Sequence, residues 1–95
     1  MAARTLTLGE FAPRLGKPFS VEAQNGAIQL VLAEAQELPG SMRDGGAFRL
    51  EFHGPLQPTL AQGTYRFRVG DQPAEIFIVP LGPAGGKLRY EAIFF

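Results

Sequence analysis

Ninety-five residues suffice for one domain, residues 1–95, and leave no room for a second independent core. Nine basic and nine acidic side chains cancel, so no global field draws in nucleic acid or anionic lipid. The absence of cysteine excludes disulfide frameworks, thiolate zinc sites, thiol nucleophiles and iron–sulfur clusters.

Met1–Leu8 lacks the continuous apolar run of a secretory signal. No segment approaches the ~20 apolar residues of a membrane helix. The expected location is the cytoplasm, or a larger particle assembled from it. Thr7-Leu8-Gly9-Glu10 has the capping-box pattern, with Leu8, Phe11 and Leu15 following at helical spacing. Pro13 limits this helix to one or two turns.

Lys17–Gln24 alternates, with Phe19, Val21 and Ala23 on one face and Ser20, Glu22 and Gln24 on the other. Asn25-Gly26 then predicts a two-residue type I′ turn, which needs positive φ at both positions. That turn sets Gln24 opposite Ala27, Ala23 opposite Ile28, Val21 opposite Leu30 and Phe19 opposite Leu32. Leu38–Gly46 reads as a polar connection. Ala47–Gly54 alternates with Phe48, Leu50 and Phe52 inward and Arg49, Glu51 and His53 outward. A loop runs from Gly54 to Gly63. Thr64–Val69 follows, with Tyr65, Phe67 and Val69 inward and Arg66 and Arg68 outward. Gly70–Pro73 is a turn, Ala74–Val79 a strand, Leu81–Lys87 a Gly/Pro loop and Leu88–Phe95 the last strand. The fold class is mainly all-β: a six-stranded antiparallel sandwich or barrel with a short N-terminal helical turn. Short loops between consecutive strands favour a meander-like order.

No constellation of catalytic residues emerges. His53, the only histidine, shares a strand face with Glu51, but reads as a solvated position without an oriented partner. With no second histidine and no cysteine, a zinc site would have to rest on carboxylates alone, which is unusual, so neither metal nor cofactor is expected. Ser20 is an outward strand residue and Ser41 lies in a turn; neither sits in a nucleophile elbow. The carboxylates Glu34 and Glu37, or Glu22 and Glu51, have no spacing that separates them from surface charge. Gly82–Lys87 lacks the first glycine, the Ser or Thr and the following helix of a phosphate loop. Pro55-Leu56-Gln57-Pro58 has PxxP spacing, but inside a connection between strands it reads as a turn.

Tyr65-Arg66-Phe67-Arg68 interleaves aromatics with cations, as single-strand nucleic-acid platforms do. Strand alternation puts rings and cations on opposite faces, which disfavours nucleic acid. Only a patch of Arg49 with Arg66 and Arg68 argues for it.

The chain resembles a family of small bacterial proteins, domain of unknown function 6916. The resemblance rests on Leu6–Pro13 with Leu15-Gly16, Phe48–Pro55, Gln62–Phe67, Ile76–Gly82 and Arg89–Phe94. The family's pattern ends in a polar residue where this chain has Phe95. The resemblance carries no catalytic residue and implies a structural or assembly role beside phage-tail-like proteins.

Ile76, Phe77, Ile78 and Val79 are apolar on both strand faces, and the chain ends Ile93-Phe94-Phe95. The segment Leu8–Leu15 can cover one such patch. Uncovered apolar surface of this kind marks an interface. Phe77, Val79 and Phe95 are therefore the expected contact residues, for self-association or a protein partner. The leading expectation is a non-enzymatic module acting through protein contacts, as an accessory of a tail-like or surface assembly. A barrel for a small apolar or sugar-like ligand ranks second, ahead of single-stranded nucleic-acid binding or an enzyme.

Overall fold

In the computed structural model, which describes residues 6–24, 26–39 and 46–95, Thr7 opens the first element as its capping-box position predicts. The Thr7 N–H donates to Glu10 Oε2 at 3.3 Å, and the Glu10 N–H donates to the Thr7 carbonyl at 3.1 Å. Helix α1 spans Leu8–Phe11, and a 3-10 turn over Ala12–Arg14 absorbs Pro13 at its start. Leu15 leaves the helical conformation, and so it is exposed rather than continuing the Leu8–Phe11 face.

Six strands follow: β1 Pro18–Ala23, β2 Gly26–Leu38, β3 Ala47–Gly54, β4 Gly63–Val69, β5 Gln72–Ala84 and β6 Lys87–Phe94. All pairings are antiparallel, and the sheet closes into a barrel in the order β1-β2-β3-β6-β5-β4. The fold class expected from the alternation is therefore correct, with the barrel as its form. The single meander is not. The chain forms two three-stranded meanders, β1-β2-β3 and β4-β5-β6, joined through residues 55–62. That crossover carries the chain over the end of the barrel, burying Leu60, whose N–H donates to the Tyr90 hydroxyl at 2.9 Å.

Two expectations about the strands are corrected. The first hairpin pairs Ala23 with Gly26, Val21 with Ile28 and Phe19 with Leu30, two residues away from the expected register. β1 ends at Ala23 and β2 begins at Gly26, and Asn25 of the expected turn is outside the described residues. A shift of two preserves which face each side chain occupies, so apolar pairing alone does not separate the two registers. The expected Leu81–Lys87 loop is mostly strand, because β5 runs on to Ala84 opposite Lys87. Gly85 and Gly86, at φ +59° and +78°, form the two-residue turn with positive φ at both positions.

Bulges explain why the long strands are hard to read. In β2 the inward phase passes from Leu30 and Leu32 to Ala35, opposite Leu50, across an irregularity between Leu32 and Glu34. In β5 the positions paired with inward residues of β6 change from Pro80, opposite Tyr90, to Pro83, an exposed residue opposite Leu88, across an irregularity between Pro80 and Gly82. An extra residue bends the strand around the barrel and reverses its alternation.

The barrel interior is filled. Phe19, Leu30, Phe48, Leu50, Phe52, Phe67, Ile76 and Tyr90 are all buried. Phe11 of α1 is also fully buried and stops one end, with ring centroids 6.0 Å from Phe19, 5.9 Å from Phe48 and 6.2 Å from Phe94. The N-terminal segment thus covers a barrel end, where Phe11 reaches Phe94 of the C-terminal apolar run.

Candidate functional site

Strand alternation sends the polar residues of β3 and β6 outward, and the register brings them together. Glu51 lies two residues from both Arg49 and His53 on β3, while His53 pairs with Arg89 and Glu51 with Glu91 on β6. Arg89 binds Glu51 through two parallel bonds, Nε to Oε2 at 2.9 Å and Nη2 to Oε1 at 3.0 Å. Arg49 Nη2 donates to Glu51 Oε1 at 2.7 Å, while its Nε donates to Glu91. His53 Nε2 lies 2.8 Å from Glu51 Oε2. Glu34 on β2 closes the rim, 3.7 Å from Arg49.

Glu51 is thereby only 3% exposed although it points away from the core. The Arg89 guanidinium is the largest influence holding its carboxyl well below the usual glutamate range. Burial opposes this, and the bonds from His53 and Arg49 reinforce it. An ionised carboxylate only accepts, so Nε2 is the protonated nitrogen of His53 in this bond. Glu51 is a brace across β3 and β6, since its oxygens are occupied and it holds no proton to exchange near neutrality. The expectation that His53 has no oriented partner is corrected: Glu51, itself drawn out of solvent by the two arginines, orients it, while His53 stays half-buried. Glu22 lies on β1, outside this group. Among the described residues, no group of three or more His, Asp or Glu side chains is placed to hold a metal ion.

The expected basic patch of Arg49 with Arg66 and Arg68 does not form. Arg49 is engaged by carboxylates on β3 and β6, while Arg66 and Arg68 lie on β4, which neighbours neither β3 nor β6. Arg66 and Arg68 face outward and Phe67 and Val69 inward, as expected. Ser20 is exposed on β1, and Ser41 lies outside the described residues.

The apolar outward residues form the other feature. Phe77 is 50% exposed on β5, Ile93 41% on β6 and Phe95 82% just beyond it. Val79 is half-buried opposite Glu91. Phe77 precedes Val79 by two residues and Ile93 follows Glu91 by two, so antiparallel geometry displaces both toward one end of the barrel. This is the end stopped by Phe11, because Phe94 stacks on Phe48 with centroids 4.4 Å apart. Exposed Leu81 lies beyond Val79 on β5. The expected residues Phe77, Val79 and Phe95 thus occupy one side, joined by Ile93. Its outward position was legible from the alternation of β6.

Among the described residues, no helix is long and apolar enough to cross a membrane. Comparison with curated proteins and with solved structures gives no match. Residues 6–94, nearly the whole chain, match the family described as domain of unknown function (DUF6916), and the chain belongs to that family.

Proposed function

We propose that the domain is a non-enzymatic module that works through protein contacts, as an accessory of a larger assembly, with the outer face of β5 and β6 as its contact surface. The observation that carries this reading is the exposure of Phe77, Ile93 and Phe95 on that face, beside Val79. Large apolar side chains grouped on one face of a small domain lose contact with water when a partner covers them. The filled interior supports contact by the outer surface over enclosure of an apolar ligand.

Light scattering over a concentration series tests the reading, comparing the parent with the Phe77→Ser, Phe95→Ser double variant. The expected result is a mass that rises with concentration for the parent and stays monomeric for the variant. A parent that remains monomeric transfers the contact to another protein, which affinity capture with both chains as bait then reads. A monomeric parent whose captured proteins are the same as the variant's overturns the proposal.

A further inference from the structure

The two closures between the meanders are unequal, and the looser one holds a separate group of cations. β1 meets β4 at a single paired position, Val21 opposite Phe67. Toward the start of β1 and the end of β4 the strands part around a groove of about 370 Å3. Among the described residues its lining includes Arg14, Lys17, Ser20, Gln29, Arg68 and Gly70, and no carboxylate. The other arginines among the described residues are matched: Arg49 and Arg89 by Glu51, Arg66 by Glu75 and Glu22. Among the described residues, Arg14, Lys17, Arg68 and Lys87 have no carboxylate within ion-pair distance, and three of these four line this groove.

Both arginines are held while most of their donors stay free. Arg14 Nη1 donates to the Glu10 carbonyl, and Arg68 Nη1 donates to the Asp71 carbonyl at 3.3 Å. Each guanidinium carries five N–H donors, so anchoring one nitrogen on a backbone carbonyl fixes its direction without neutralising its charge. Gly70 makes room for this arrangement: a Cβ there would lie 3.0 Å from Arg14 Nη2. Its φ of +65° also favours glycine. Ser20 and Gln29 add neutral donors on the same lining.

We propose that this groove binds a small phosphate-type oxyanion of two or three negative charges. Three cationic residues lining one space match such a charge, and guanidinium forks match phosphate oxygens in geometry. A monocarboxylate would leave most of the positive charge unmatched. The site is independent of the contact face on β5 and β6.

Titration with inorganic pyrophosphate, followed by calorimetry and by backbone amide shifts, tests the site. Saturable shifts are expected at Ser20, Gln29, Arg68 and Gly70, with none from acetate at equal ionic strength. Lys17→Gln with Arg68→Gln is expected to weaken binding about tenfold or more while leaving the melting temperature near the parent's, because both side chains are exposed. The Phe77→Ser, Phe95→Ser variant is expected to bind like the parent. Absence of saturable binding, undiminished binding by the glutamine variant, or equal response to acetate each overturns the proposal. Tighter binding of single-stranded oligonucleotide, with shifts continuing along β4 to Arg66, also overturns it in favour of nucleic acid.

Discussion

The two seams that close the barrel join the same pair of meanders with the same kinds of side chain, yet they differ in length and in how far their ion pairs are removed from water. Across β3 and β6 the register runs from Phe48–Phe94 to Gly54–Leu88, with a stacked aromatic pair inside and a buried carboxylate outside. Across β1 and β4 only Val21 and Phe67 pair. There the ion pair between Arg66 and Glu22 is exposed and 3.9 Å long. An arginine beside a glutamate therefore says little by itself. Arg89 and Arg49 contribute because they share a carboxylate removed from water, whereas Arg66 and Glu22 remain solvated.

The largest expected effect breaks the tight seam from inside. Phe48→Ala removes a fully buried ring that packs on both Phe94 and Phe11. It is expected to cost about 3–5 kcal/mol in denaturant unfolding, a large share of a small domain's stability. A loss below ~1 kcal/mol would mean that the stopped end repacks freely.

Next comes the outside of the same seam. Glu51→Gln keeps the shape but removes the charge shared by two arginines, at an expected cost of about 1–3 kcal/mol at pH 7. The folded carboxyl is held below its ordinary value of 4.5, with Arg89 the first cause. The stabilisation is thus present above the ordinary value and declines as pH falls through the folded one. Unfolding curves at pH 7 and pH 3 check this: the parent loses more stability than the Gln variant. Equal losses would remove Glu51 as a source of acid sensitivity.

The smallest effect belongs to the loose seam. Arg66→Ala is expected to shift stability by no more than about 0.5 kcal/mol, since its pairs are solvated. A shift comparable to that of Glu51→Gln would erase the contrast between the seams.

The inward faces of the short strands were legible because their alternation is unbroken: Phe48, Leu50 and Phe52, then Phe67 and Val69. The long strands were not, because the bulges after Leu32 and Pro80 invert the pattern partway. Pro80 and Pro83 also disguised the end of β5 as a loop. The exposed outward positions of Phe77 and Phe95 followed from the same alternation. The Glu51 brace was illegible for a different reason. Its outward position follows from periodicity, but its burial depends on Arg89, 38 residues away. Only the β3–β6 register brings those two together.

Residues 55–62 are the one covalent link between the two meanders, which gives that crossover a role in polymer terms. It sets the local concentration at which each half of the barrel meets the other. Slack added to a free tether is thermodynamically mild, about 0.6 kcal/mol for each doubling of length. This tether is also fastened near its β4 end, by buried Leu60 and its bond to Tyr90 on β6. Its working length is thus shorter than its sequence, and the fastening favours recombination of the halves within one chain over exchange between two.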